Sequence, residues 1–477
     1  MPMATTIRRL LGLAAAILLA VFGRAEAATT TQAGTLADGA AWLVEVPDGW
    51  NGTLLLYSHG YTAPGSSNPA RDVGDPLTRA ALLAQGFALA GSSYATTGWA
   101  IHEALPDQIA VLDLFEGLFG QPARTIAWGH SLGGIITAGL VQRYPHRFDA
   151  ALPMCGVLAG GVGTWNQALD AAFAFATLAA PGSGVDLVHI ANPGTNLALA
   201  QGALAAAQAT AQGRARLALA AALADTPGWF DPVSPEPAAN DLVSREANQF
   251  LWMKFVTFPF IFALRAELEF RAGGNPSWNT GVDYRRQLRR SANREQVVAA
   301  YQDAGLDLEA DLEALEHAPR IAADPAAVSY LAANIVFDGR IRIPVLTLHT
   351  DGDGLVNVEQ ESAYRRTVEE AGREELLRQV YVHRAGHCTF TPAETVAALG
   401  ALLDRLDSGE WHGLRADDMN ARAAALGPGM NLITSGSAVV PTPPAYVPYH
   451  PAPFLRPFDA VRERHGGHGR RCGEARD

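Results

Sequence analysis

The feature that most constrains the fold is a regular alternation between short apolar segments and longer segments of helical period. Apolar runs of strand length, bounded by Gly, Pro or Asn, occupy residues 42–46, 53–58, 87–91, 124–128 and 150–154. Segments with a helical spacing of apolar residues fill 75–85, 105–119 and 132–144. Strands that alternate with helices of this length predict right-handed βαβ units, and therefore an α/β fold built on a mostly parallel sheet.

The alternation stops after Gly156 and resumes near Ile341. Residues 157–338 are rich in Ala and helical in period, with interruptions at Pro181, at Pro193, at 231–237 and at 273–276. The strand and helix pattern then returns at 341–348, 359–371, 377–383 and 393–406. We predict one split sheet domain, 28–156 and 339–410, interrupted by a helical insertion, 157–338. An independent helical domain with its own function is the alternative.

The first residues have the pattern of an export signal. Arg8 and Arg9 precede an apolar stretch at 10–22, and Ala25-Glu26-Ala27 fits a small-x-small cleavage site. The apolar stretch is shorter than the roughly 20 residues that span a bilayer. We therefore expect 1–27 to be a cleaved signal peptide and the product to be secreted or periplasmic, with no transmembrane segment. The ordinary export route is favoured over a twin-arginine route, because Ile7 stands directly before the arginine pair, where a Ser or Thr would be expected.

Charge and cysteine content exclude several classes of protein. The formal net charge of -12 and the lack of a basic stripe argue against a nucleic-acid partner. The hydrophobic content of 48% is enough for a large core. Three cysteines, Cys155, Cys388 and Cys472, permit at most one internal disulfide, so the chain is not a disulfide scaffold. Residues 411–477 form a Pro-rich extension whose end we expect to be disordered.

The strongest chemical signal is Gly129-His130-Ser131-Leu132-Gly133-Gly134, which follows a predicted strand and opens a predicted helix. A serine hydroxyl becomes a useful nucleophile when it is exposed at a sharp turn and can pass its proton to a base. Glycines two residues before and after Ser131 remove side chains that would clash there, and the following helix N-terminus favours negative charge. Ser131 is therefore the candidate nucleophile.

The base and the acid are predicted in loops that follow later strands. His387, in Ala385-Gly386-His387-Cys388, is the candidate base, and the other histidines have weaker settings. An imidazole base needs a carboxylate that fixes its tautomer. The loop after the strand at 341–348 offers two aspartates, Asp353 and Asp351. Asp353 is favoured because the chain re-enters the body directly after it, whereas Asp351 suits a turn at the start of the loop.

The order Ser131, Asp353, His387 resembles the α/β-hydrolase superfamily, over about 47–156 and 341–406, as in secreted serine esterases and lipases with a helical cap. The resemblance implies a cap inserted after the sixth strand, which matches 157–338. It also implies an oxyanion hole formed by the backbone N–H groups of Leu132 and Tyr61, because Ser58-His59-Gly60-Tyr61 stands where the superfamily has a His-Gly pair. Tyr61 departs from the Gly-rich versions of that loop.

Two further expectations follow for the carboxyl edge of the sheet. Cys155 and Cys388 should both lie there, so they either form a disulfide that fixes the histidine loop or stay as buried free thiols. The aromatic run at 250–262 either lines an apolar acyl or aryl pocket, or faces a lipid surface, or forms the core of the cap. The arginine pairs at 285–286 and 289–290 are interpreted as a solvated helix face.

These observations predict an exported serine hydrolase that cleaves carboxylic esters through an acyl-enzyme, with no cofactor and no metal. Its substrate would be a small-molecule or polymeric ester with an apolar acyl or aryl part. A serine exopeptidase of the same fold is the alternative, in which a cap carboxylate captures the peptide amine; its candidates are Glu236, Glu246, Glu267 and Glu269. A non-catalytic binding protein on this scaffold is the third reading.

Overall fold

The computed structural model describes residues 28–458. Its centre is a nine-stranded sheet in the order β1-β2-β4-β3-β5-β6-β7-β8-β11. The strands from β4 and β3 through β8 are parallel, while β1, β2 and β11 add antiparallel edges. The predicted mostly parallel α/β sheet is confirmed. The strands are β1 (Thr29–Thr35), β2 (Ala41–Pro47), β3 (Thr53–Ser58), β4 (Ala88–Ser92), β5 (Arg124–His130), β6 (Ala150–Met154), β7 (Val345–Gly352), β8 (Leu377–Ala385) and β11 (Tyr446–Val447).

Helices cover both faces of the sheet, which explains why its central strands are apolar at every position. All six residues of β3 are buried, and alternate side chains enter different cores: Leu54 and Leu56 pack on one face, Leu55 and Tyr57 on the other. The helices of this part are α1 (Pro76–Ala84), α2 (Ile101–Phe119), α3 (Leu132–Arg143), α13 (Glu359–Glu370), α14 (Pro392–Ser408) and α15 (Ala416–Ala424), with a 3₁₀ turn at Glu374–Leu376.

Between β6 and β7 the structure has helices and no strand. They are α4 (Gly160–Ala174), α5 (Pro193–Gln208), α6 (Ala211–Ala222), α7 (Leu242–Trp252), α8 (Arg265–Ala272), α9 (Tyr284–Arg290), α10 (Arg294–Ala304), α11 (Leu308–His317) and α12 (Pro325–Ala333), with π-helical segments at Phe175–Ala179, Met253–Thr257 and Phe260–Leu264. Many of these helices share a hydrophobic core of their own, which includes Phe262 and Tyr301. Pro193 begins a helix, since its missing N–H is tolerated in the first turn.

One continuous helical stretch, Leu242–Ala272, is long and apolar enough to cross a membrane by length and composition alone. That is weak evidence, because core helices of soluble proteins meet the same criterion. About a third of its most apolar window is buried in the molecule.

The segment after residue 410 is more regular than its proline content indicates. It contains α15, a small hairpin of β9 (Leu432–Ser435) and β10 (Ala438–Pro441), and β11, which joins the main sheet beside β8. Tyr446 and Phe454 are buried, and Arg456 forms an ion pair with the buried Asp170 of α4. The Pro-rich extension is therefore ordered over 411–447, where β11 pairs with β8 in the main sheet. The predicted signal peptide, the predicted disordered end and Cys472 lie outside the described residues.

Candidate active site

Ser131 occupies a sharp turn between the end of β5 and the start of α3. Its backbone is in the left-handed region, with φ 61° and ψ -122°. The glycines around it are required by close packing, since a Cβ at Gly129 or Gly133 would lie 2.4 Å or 1.9 Å from the carbonyl oxygen of Ser58. The turn therefore presses against the end of β3 and leaves the serine side chain at the carboxyl edge of the sheet.

Three side chains that come from separate loops meet at this turn. Ser131 Oγ donates to His387 Nε2 at 2.7 Å, and His387 Nδ1 donates to Asp353 Oδ2 at 2.6 Å. The other carboxylate oxygen of Asp353 accepts from the backbone N–H groups of Leu355 and Val356. The sequence-predicted nucleophile, base and acid thus form one continuous hydrogen-bonded chain, the arrangement that activates a serine for acyl transfer.

The two competing aspartates have different partners. Asp351 Oδ2 lies 2.7 Å from His383 Nδ1, and Asp351 Oδ1 accepts from the backbone N–H of Arg384, so its carboxylate is engaged away from His387. Asp353 is buried, which by itself would raise its pKa. The charge of His387 and the hydrogen bonds with the two neighbouring histidines instead lower the pKa of Asp353 to about 2.

The two proposed oxyanion residues, Leu132 and Tyr61, line the cavity that Ser131 also lines. Leu132 begins α3 directly after the serine, and Tyr61 follows the β3 loop. A Cβ on Gly60 would lie 3.3 Å from the Cβ of Ser131, so this loop passes close to the nucleophile. In the same loop, the ring of His59 stacks on the ring of Tyr94, with ring centroids 4.0 Å apart.

A disulfide joins Cys155 to Cys388, with the two Cα atoms 5.3 Å apart. Of the two alternatives left by the sequence, the structure has the bridge. It ties the end of β6 to the residue directly after His387, and both cysteines have positive φ angles, 42° and 55°. The histidine loop is therefore covalently attached to the strand beside the nucleophile turn. Cys155, His387 and Cys388 also present grouped metal-ligand atoms, but the bridge occupies both sulfurs.

A cavity opens beside Ser131 and Leu132, which both line it. Its wall is largely apolar and aromatic, and no charged side chain is present among the described residues that line it. Uncharged polar groups from Thr, Gln and Asn complete the lining. The aromatic members are Tyr61, Trp99, Trp165, Phe258 and Phe260. Such a wall suits an apolar or aromatic group placed next to the nucleophile.

The aromatic run at 250–262 serves two of the predicted roles at once. Its two π-helical segments carry Met253, Thr257 and Phe260 into the cavity wall, while Phe262 is fully buried in the core of the inserted helices. Phe255 is 57% exposed on the outer side. Widened helical turns of this kind are frequent at functional sites because they shift side chains out of the regular helical register.

None of the four glutamates considered for amine capture lines this cavity. Glu267 accepts from the backbone N–H of Trp99 and from Arg271, and Glu269 is paired with Arg265. Glu246 accepts from Gln208, and Glu236 lies 3.8 Å from Arg245. Of the arginine pairs, Arg285 forms ion pairs with Glu309 and Glu316 at the surface, as expected for a solvated helix face.

Sequence reasoning missed a second histidine beside Asp353. His349, a buried residue of β7, lies between Asp353 and Glu361. Its position at the end of a strand carried no motif, and Glu361 lies on the next helix, so no local pattern links the two residues. A cluster of amide side chains in the cavity wall, Gln167, Asn357 and Gln360, was missed for the same reason.

Comparison with known proteins gives one extensive sequence match. No family model matches the chain. The o-phthalyl amidase of Xanthobacter agilis is 31% identical over 430 residues, which cover 83% of this chain and 92% of that protein.

Solved structures with similar folds are more distant in sequence. The rice cell wall degrading esterase LipA from Xanthomonas oryzae is 13% identical, with a TM-score of 0.36, over 82% of this chain and 93% of that one. An esterase from Aspergillus oryzae is 13% identical, with a TM-score of 0.40, over 88% and 86%. The acylaminoacyl peptidase of Pyrococcus horikoshii is 8% identical, with a TM-score of 0.34, over 78% and 39%.

Proposed function

Since the chain belongs to the family of the o-phthalyl amidase of Xanthobacter agilis, and is a serine hydrolase of the α/β-hydrolase superfamily, we propose that it is exported and cleaves carboxylic esters. The observation that carries this proposal is the hydrogen-bonded chain Ser131–His387–Asp353, which ends at the edge of an uncharged aromatic cavity.

The geometry suits a two-step acyl transfer. Ser131 Oγ attacks the acyl carbonyl carbon while its proton moves to His387 Nε2, and Asp353 stabilises the resulting imidazolium. The backbone N–H groups of Leu132 and Tyr61 would receive the oxyanion, each contributing a few kcal/mol. His387 then protonates the departing alcohol. Water, deprotonated by the same histidine, attacks the acyl-enzyme and releases the carboxylic acid and free Ser131.

The cavity favours an aromatic acyl group that carries a second, uncharged hydrogen-bond acceptor. Tyr61, Trp99, Trp165 and Gln167 line it, and each has a buried donor atom without a partner among the described residues. A buried donor left unsatisfied costs about 1–3 kcal/mol, so a substrate acceptor that reached one of these donors would be favoured. With no cation in the wall, a neutral carbonyl fits better than a carboxylate, whose burial without a counter-charge is costly.

Hydrolysis of aromatic acyl amides is the second candidate, and the named activity of the family member supports it. An aromatic diacyl group such as o-phthalyl matches the combination of aromatic walls and spare donors. The same triad serves both reactions, because His387 can protonate an amine as well as an alcohol. Capture of a free peptide amine has less support, since no carboxylate lines the described cavity.

Matched substrates separate these candidates. We expect p-nitrophenyl benzoate to be hydrolysed faster than its p-nitroanilide and faster than aminoacyl p-nitroanilides. We also expect kcat/KM to be higher for dimethyl phthalate than for methyl benzoate. The ratio of these two kcat/KM values should be smaller in the Gln167→Leu variant than in the wild type. Faster turnover of the benzoyl anilide would select the amidase, and faster turnover of the aminoacyl anilides would select the exopeptidase.

Two controls test the nucleophile and the export. Ser131→Ala should lose turnover and fluorophosphonate labelling while it stays folded, whereas Ser66→Ala, at an exposed position, should keep both. Retained turnover in Ser131→Ala would refute the triad assignment. Expression of the full chain with its first 27 residues should release a product that begins at Ala28; retention of those residues in a cytoplasmic product would contradict export.

A further inference from the structure

His349 is enclosed by hydrogen-bond acceptors. The side chain is fully buried. Its Nδ1 lies 3.0 Å from Glu361 Oε1, and its Nε2 lies 2.8 Å from the backbone carbonyl oxygen of Val356 and 3.6 Å from Asp353 Oδ2. A carbonyl oxygen and a carboxylate oxygen can only accept. Both ring nitrogens therefore face groups that require a proton on the nitrogen.

The carboxylate of Glu361 is surrounded by hydrogen-bond donors. Besides His349, its carboxylate accepts from Thr347 Oγ1 at 2.6 Å and from Gln379 Nε2. Three groups that can donate hydrogen bonds surround this carboxylate, an environment that favours its ionised form. The complementary state of His349 is the doubly protonated imidazolium. Burial by itself would lower the pKa of His349, but the hydrogen bonds and charges of Asp353 and Glu361 raise it to about 10.

The same imidazole controls the loop that carries the triad acid. Val356 donates its N–H to Asp353 Oδ1 and accepts from His349 through its carbonyl oxygen. A single residue of the loop thus joins the two side chains. Removal of His349 would leave the buried Glu361 without its cationic partner. It would also remove the hydrogen bond to the Val356 carbonyl oxygen, so the orientation of the Asp353 carboxylate would be less restricted.

We propose that His349, anchored by Glu361, is a positioning residue that holds Asp353 in line with His387 and supplies a buried positive charge to the triad. The chain of interactions then runs Glu361–His349–Asp353–His387–Ser131. The proposal rests on the serine hydrolase mechanism above and extends it by two residues. It explains why a carboxylate with no solvent contact stays ionised beside the base.

The charge makes a directional prediction for the pH profile. A cation close to Asp353 opposes protonation of His387, so its loss should make His387 protonate at higher pH. The ionisable groups that face this network are Asp353, Glu361 and Glu359 around His349, and Asp353 and His130 around His387. The pKa of His130 is lowered to about 4 by burial, so that ring is neutral through the range measured.

The kinetic test compares His349→Gln and Glu361→Gln with a matched surface control, Glu370→Gln, from the same helix. We expect both buried variants to lose at least about tenfold in kcat with little change in KM, and the acid limb of kcat/KM to move to higher pH. Glu370→Gln should match the wild type. A loss of rate with no shift of the acid limb would mean that His349 has only a structural role, and would overturn the proposal. An unchanged rate would overturn it as well.

A spectroscopic test on the wild type keeps the proposal testable if the variants fail to fold. Among the 13 histidines of a ¹⁵N-histidine-labelled sample at pH 8, one ring should show both nitrogens protonated, and Glu361→Gln should abolish that signal. A wild-type spectrum with only neutral rings at pH 8 overturns the proposal. This result is independent of turnover, so an enzyme inactive on every ester and amide tried would refute the proposed function and leave the state of His349 measurable.

Discussion

Removal of the Cys155–Cys388 bridge should affect both global stability and the position of His387. The bridge joins residues 233 positions apart. On the chain-entropy relation, closing a loop of that length is worth about 5 kcal/mol, and loss of native bridges typically costs about 2–5 kcal/mol. Domains are stable by roughly 5–15 kcal/mol. The double variant Cys155→Ser, Cys388→Ser should therefore fold, with a stability lower by several kcal/mol.

A second, local effect should appear in folded protein. Both bridged cysteines hold left-handed backbone conformations, which cost L-residues of this kind about 1–2 kcal/mol each. Without the bridge the loop can relax toward ordinary φ values and carry His387 away from its 2.7 Å contact with Ser131. We expect kcat to fall at temperatures where circular dichroism shows the variant to be folded.

The assay has three parts. Urea unfolding followed by circular dichroism gives the stability, ester turnover below the unfolding transition gives kcat, and intact mass after alkylation counts free thiols. Cys472→Ser is the matched control, because it removes the third cysteine and keeps the bridge. Alkylation of Cys155 and Cys388 without reduction would refute the reasoning, and so would a stability change below about 1 kcal/mol.

Three further predictions test other parts of the structure. Burial raises the pKa of Asp225 to about 6, so its ionisation costs stability as pH rises from about 4 to above 6. At pH 8 the free energy of unfolding of Asp225→Asn, measured in urea, should exceed that of the wild type by up to roughly 3 kcal/mol, and this gain should vanish near pH 4. Gly133→Ala should give insoluble or unlabelled protein, because its Cβ would meet a carbonyl oxygen of β3 at 1.9 Å; a soluble, fluorophosphonate-reactive Gly133→Ala would contradict the packing at the turn. Its control, Gly117→Ala, has open space in the last turn of α2 and should stabilise the protein by up to about 1 kcal/mol. Arg456→Met leaves Asp170 buried without its cation and should cost about 3–5 kcal/mol in urea unfolding; a change below 1 kcal/mol would show that this contact of the C-terminal segment adds no stability.

Much of the sheet could be predicted because strands of a buried parallel sheet are continuous apolar runs in the sequence. Apolar runs in the sequence predicted β3 at 53–58 and β6 at 150–154, and the structure has the same bounds. The Thr-rich edge strand β1 was missed, since five of its seven residues are exposed and it has no apolar face. Strand β7 begins at Val345 rather than Ile341 because Pro344 has no N–H to donate to the ladder.

The sequence by itself determined the nucleophile turn and the order in which Ser131, Asp353 and His387 follow the strands, because glycine spacing and strand-to-helix transitions are encoded locally. Tertiary structure decided which aspartate contacts His387, that Cys155 and Cys388 are joined, and that His349 stands between two carboxylates. Those outcomes depend on the distances between residues up to 256 positions apart. Such distances are set by the packing of strands and loops around one sheet edge, and no local pattern records them.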